Sequence, residues 1–182
     1  MPGTASARIN IDIQAQDIIS AGIVAGVIPA KFLQQLDLNT GVSDGQCDLV
    51  YAKTESGVAA STITSYDLSG TLVGLNQAVA VFAEVVLIAI RNKRTTVLAY
   101  LDVGPHATNG FGRLSSSRGF WPADIAADAD QGSIVAPDSW LVLYNKDGVP
   151  VVGGTGDILR VTTSGVVGST NTWDILVIGR SA

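Results

Sequence analysis

A chain of 182 residues with 47% apolar and only 15% charged side chains is too oily to be disordered, and long enough to bury a core without a disulfide or structural metal. A net charge of −5 disfavours duplex nucleic acid, because phosphate is bound by Lys and Arg that displace its counterions. One cysteine, Cys47, and one histidine, His106, exclude intrachain disulfides, thiolate clusters and multi-histidine metal sites.

Arg8 to Gln14 alternates strictly, with Ile9, Ile11 and Ile13 on one face and Asn10, Asp12 and Gln14 on the other, the pattern of a half-buried strand. Standing before a Gly- and Pro-bearing connector, it marks residues 1–30 as an extended N-terminal arm, suited to adding a strand to a neighbour's sheet edge. Asp17 to Val27 offers one or two helical turns at most, since Gly22, Gly26 and Pro29 each weaken a helix. Ile18 to Ala30 imitates the apolar core of a secretory signal, but Asp12 and Asp17 precede it where basic residues belong. No targeting segment is expected, and the chain reads as made in the cytoplasm.

Residues 31–182 read as one domain of short strands: Lys31 to Leu38, Gln46 to Lys53, Ala60 to Leu68, Val79 to Asn92, Thr96 to Asp102, Ser139 to Asn145, Asp157 to Thr163 and Thr172 to Gly179. Most are bounded by Gly, Asn, Asp or Ser and are rich in Val and Thr. Such spacing predicts an all-β, antiparallel β-sandwich, with a jelly roll the expected version, and argues against βαβ units. Ala78 to Ile90, the longest apolar run, carries Glu84 and falls short of the ~20 residues a spanning helix needs. Gly104 to Pro137 lacks strand pattern, apart from a short helix expected at Asp124 to Asp130. Its aromatics, Phe111, Phe120 and Trp121, are expected beneath the loop or in a subunit contact.

Motifs that carry chemistry are weak. Gly153-Gly154-Thr155-Gly156 lacks phosphate-loop spacing and leads into a strand, so it reads as a hairpin connection needing positive φ. Asp124, Asp128 and Asp130 do not match a calcium loop. His106, beside Pro105, together with Ser61, Ser65 or Ser115 to Ser117, forms no nucleophile elbow. Glu84 reads as an outward-facing or ion-paired residue, and Arg91, Lys93 and Arg94 as a charged turn or a contact for an acidic neighbour. No catalytic, cofactor-binding or metal-binding residue is assigned, and no cofactor is expected.

Several segments carry a resemblance. Asp48-Leu49-Val50-Tyr51, Ser65-Tyr66-Asp67-Leu68-Ser69-Gly70, Phe82 to Asn92 (FAEVVLIAIRN), Val103 to Phe111 (VGPHATNGF), Gly154 to Val161 (GTGDILRV) and Trp173 to Ser181 (WDILVIGRS) resemble a family of small proteins encoded in tailed-phage and prophage structural gene modules. The match runs from about Asp48 onward and departs in the Arg113 to Asp130 loop. The resemblance implies a virion component: a jelly-roll cement or decoration protein on the capsid surface, a homo-oligomer with a trimer favoured. Its implied partners are the major capsid protein or other virion proteins, with neither nucleic acid nor membrane. A tail or neck location remains open. So does a carbohydrate-binding module, in which Trp121, Trp140 and Trp173 would form an exposed stacking surface.

Overall fold

Alternating apolar residues carry the chain into strands. The computed structural model describes residues 7–19, 26–70, 72–74, 79–95, 99–113, 119–121, 132–164 and 170–182, with side chains from residue 37 onward. No helix occurs among the described residues. The helix expected at Asp124 to Asp130 and the Ser115 to Ser117 run lie outside them.

Among the described residues thirteen strands follow in order. They are β1 (Ala7–Ile19), β2 (Gly26–Thr40), β3 (Gln46–Cys47), β4 (Leu49–Ala59), β5 (Ile63–Asp67), β6 (Leu72–Val73), β7 (Val79–Ala80), β8 (Glu84–Asn92), β9 (Leu101–Pro105), β10 (Ser133–Val135), β11 (Trp140–Pro150), β12 (Ile158–Thr163) and β13 (Thr170–Arg180). Two four-stranded antiparallel sheets, in the orders β11-β8-β13-β4 and β10-β9-β12-β5, make up the body. The fold is all-β and consistent with a β-sandwich. From β4 to β13 the chain changes sheet at nearly every connection; only β6 with β7, and β9 with β10, follow one another within a sheet.

One core fills the space between the sheets. Ile88, Ile90, Trp173, Ile175 and Val177 come from the first, and Leu101, Val103, Leu159, Val161 and Tyr66 from the second. Trp173, Ile175 and Val177 are buried as their alternation predicts. Phe111 and Trp121 are buried with them, and Phe120 meets both rings edge-on at 6.1 and 5.8 Å. The loop aromatics therefore close one end of the core. Gly112, at φ +80°, lies where any Cβ would run into the Trp121 indole.

Several buried polar side chains of the body are paired. Asn92 Nδ2 donates to the carbonyls of Ala99 and Val135 at 2.7 and 3.1 Å, and its Oδ1 accepts from the Arg94 amide. Arg160 and Asp102, both nearly inaccessible, meet at 2.7 Å. The buried Arg180 guanidinium reaches Glu84 at 2.7 Å, Asp44 at 3.2 Å and the Asp147 carbonyl at 2.7 Å. Gly148 beside it takes φ +73°. This contact forms at a bulge: five steps along β11, from Tyr144 to Val149, face two along β8.

Two expectations change. Asp17 to Val27 offers one or two helical turns in sequence, but Asp17 to Ile19 and Gly26 to Val27 are paired strand, and residues 20–25 lie outside the described residues. The β-branched Ile18, Ile19, Val27 and Ile28 favour the extended state there. Val79 to Asn92 is not one strand but β7 and β8. Between them Phe82 leaves the ladder for the core, its amide bonded to the Leu68 carbonyl. Gly179 makes the room, since a Cβ there would strike the Phe82 ring and the Glu84 carbonyl.

β1 and β2 pair over 13 consecutive positions, from Ala7↔Leu38 to Ile19↔Gly26, a ribbon about 40 Å long. β2 runs unbroken through residues 30 and 31 and touches β3 in parallel at Asn39 and Thr40. Pro29 is tolerated because each strand of a two-stranded ribbon has an unladdered edge.

Candidate functional site

The first sheet has two apolar faces. Along β11, Leu141 and Leu143 turn toward the core, so strand alternation places Trp140, Val142 and Tyr144 on the other side. There they are 62%, 44% and 39% exposed. An antiparallel sheet with one wet face ordinarily shows polar residues on it.

The registers order this outer face into three rows. The first, Trp140–Arg91–Asp174–Thr54, is polar. The Arg91 guanidinium lies 5.4 Å from the Trp140 ring centre. Thr54 Oγ1 donates to Asp174 at 2.6 Å and Lys93 approaches it at 3.4 Å; the Thr54 hydrogen bond, then Lys93, hold the Asp174 carboxyl below its ordinary value. The second row, Val142–Ala89–Leu176–Ala52, is apolar and open. In the third, Tyr144–Leu87–Ile178–Val50, Leu87 and Ile178 are buried beneath Leu38 and Cys47. Leu38, at the base of the β1–β2 ribbon, thus covers the third row; in the second, Ala89 and Leu176 are half-buried at its margin, while Val142 and Ala52 stay exposed among the described residues. Over the open part lies a cleft of about 570 Å³, lined among others by Ala52, Ala89, Trp140, Asp174 and Leu176.

What this surface does chemically is bury apolar contact beside a charged row. In the ribbon register Ala7 stands opposite Leu38, the residue of β2 that is seated on this face.

Other singled-out residues fall elsewhere. His106 Nδ1 contacts Thr108, 2.8 Å from its carbonyl oxygen and 3.2 Å from its amide, a turn interaction. Gly153 to Gly156 forms a tight turn: Gly154 takes φ +75°, and the Gly156 amide donates to the Val152 carbonyl at 2.8 Å. An antiparallel bridge between Val152 and Gly156 closes it as a hairpin-like turn, while β11 and β12 on either side lie in different sheets. The Gly154 amide donates to Asp157 Oδ2 at 2.7 Å. Glu84 is ion-paired to Arg180, and the acidic neighbours of Arg91 and Lys93 are Asp138, at 3.6 Å, and Asp174. Of the three tryptophans only Trp140 is exposed; Trp121 and Trp173 are buried, which removes the three-indole surface that the carbohydrate-binding reading requires. Among the described residues no group of three or more His, Cys, Asp or Glu is placed to hold a metal, and no helix is long and apolar enough to cross a membrane.

The open face escaped sequence reading because Trp140 to Tyr144 is a continuous apolar run. Such a run reads as buried on both sides. The usable signal was its place beside Lys146, Asp147 and Gly148, which suit an edge strand.

No family model matches this chain, and no curated protein matches it. Among solved structures, it is similar to a chain described as the cyanophage Pam1 capsid asymmetric unit, at 12% identity and a TM-score of 0.34, over 71% of this chain and 80% of that one.

Proposed function

We propose that this chain is a bacteriophage virion structural protein: a jelly-roll capsid cement or decoration protein that stabilises the shell through contacts with neighbouring subunits. One observation carries the reading, the partly open apolar outer face of the first sheet beside a long two-stranded ribbon. A chain with 15% charged residues and such surfaces is suited to being covered by other polypeptides. The segments resembling phage structural proteins supply the setting, and four strands in each of two sheets, with the chain crossing repeatedly between them, support the jelly roll.

The mechanism is mass action. A protein that binds the assembled shell and not its dissociated subunits stabilises the shell by about 2.7 kcal/mol per site at a free concentration 100-fold above Kd. Quantitative mass spectrometry of purified particles tests this. A copy number near parity with the major shell protein is expected; a handful of copies places the chain in the tail or neck, and absence from particles overturns the reading.

A further inference from the structure

β11 ends the first sheet, and no described strand pairs with its far edge. The Asn92 amide donates to the Ser139 carbonyl at 3.0 Å. In the register that follows, Leu141 and Leu143 turn their backbone groups to β8, so the N–H and C=O of Trp140, Val142 and Tyr144 point outward. Beyond Tyr144 the edge is closed: the Lys146 carbonyl accepts from the Gly45 amide at 3.4 Å, and the bulge follows. An edge strand is ordinarily guarded by charge, a bulge, proline or shortness. β4 carries Lys53, Glu55 and, at φ +70°, Gly57; β5 is polar at Thr64, Ser65 and Asp67; β10 has only three residues. Trp140 to Tyr144 carries none of these guards and keeps three exposed apolar side chains.

The sequence along this edge mirrors itself in character about Val142. Leu141 and Leu143 flank it, then Trp140 and Tyr144, then Ser139 and Asn145, and finally Asp138 and Lys146, opposite charges whose side chains are each 66% exposed. We propose that two copies of this chain join edge to edge along Trp140 to Tyr144, antiparallel about a two-fold axis that passes through the Val142 pair perpendicular to the sheet. Val142 then stands opposite Val142 of the second copy and Trp140 opposite its Tyr144, each pair exchanging two N–H···O bonds and the aromatic pairs meeting across the strands. At each end Asp138 comes level with Lys146 of the other copy, so charge as well as shape is complementary. The contact is isologous and closes at two copies; a trimer would need a different surface. The product is one eight-stranded sheet in which the open apolar patches of both copies merge on one outer face. The inference rests on reading this face as a contact surface, not on the virion setting, and it is tested on the purified chain alone.

Five paired residues span about 17 Å, a small contact, so sedimentation velocity of the full-length chain is run from micromolar to millimolar concentration, where even a weak dimer is populated. The wild type is expected to pass from monomer to dimer. Val142→Lys and Val142→Asp each set two like charges face to face on the axis and are expected to weaken pairing about tenfold or more. In an equimolar mixture of the two variants opposite charges face each other, so dimers are expected at a lower concentration than either variant alone needs. That rescue requires residue 142 to meet its own counterpart. Unchanged far-UV circular dichroism of both variants at high dilution separates lost contact from lost fold. A wild type still monomeric at millimolar concentration, undiminished association of both variants, or a mixture no better than its parts would each overturn the proposal. A monomeric wild type that enters particles only with Val142 intact would give the edge to a strand of another virion protein, sinking this contact and leaving the virion reading standing.

Discussion

Tyr66 shows how a single side chain ties the sandwich together. Its hydroxyl accepts from Trp173 Nε1 at 3.0 Å and lies 3.4 Å from Glu55, which is ion-paired to Lys53 at 2.7 Å. Tyr66→Phe leaves the buried indole N–H without an acceptor, and about 1–3 kcal/mol of stability is expected to go, read as a lowered urea midpoint with an unchanged slope. Burial, reinforced by Glu55, pushes Tyr51 up to about 12, and burial raises Tyr66 as well. An unfolded tyrosine ionises near 10, so these groups contribute fully below that pH and their contribution drains away as pH climbs from 10 through 12. Melting curves between pH 8 and 11.5 are expected to fall steeply above pH 10, less so in Tyr51→Phe; a flat profile would contradict this. The Asp102–Arg160 pair makes a sharper case. Asp102→Ala strands a buried guanidinium and is expected to cost about 3–5 kcal/mol, whereas Asp102→Leu with Arg160→Met recovers most of it. Chemical denaturation of the two variants decides between a stabilising pair and one that is merely tolerated.

At the scale of elements, β13 was legible to within two residues of its ends, because alternation along Trp173, Ile175 and Val177 belongs to a strand between two neighbours with one face in the core. β8 was legible except where it begins. That boundary depends on Phe82 fitting over Gly179, and no local pattern encodes a contact between residues so far apart in the chain. Likewise Arg180 meets Asp44 and Glu84 only after two sheets have formed, so its residue type signalled nothing. For β1 the strand was evident while its length and partner were not, since the glycines near its end weaken helix and strand alike. The ribbon carries its own prediction. In dilute chain, amides of residues 9–15 are expected to exchange faster with deuterium than those of Ile175 to Ile178, because a two-stranded ribbon is marginal on its own whereas β13 lies between two strands of the core sheet. Equal protection would mean that the ribbon is held along its length by the chain itself. Deleting residues 1–16 is expected to reduce incorporation into particles while leaving the melting of the sandwich in place.

Across the whole molecule, all-β architecture and scant charge were readable from alternation and composition, which depend only on local sequence. The bare face was not, because which side of an apolar strand stays open is settled by what the rest of the chain brings to cover it. Leu38 and Cys47 reach the Leu87–Ile178 half and nothing in the described structure covers Val142. The central claim is that this half is covered by neighbouring polypeptides in the assembled state. Hydrogen exchange measured on the dilute chain and on the chain within purified particles tests it most directly. The account predicts slowed exchange in β1, β2 and β11 on assembly, with β5 and β12 unaltered; equal rates in both states, or protection confined to the β10-β9-β12-β5 sheet, would contradict it.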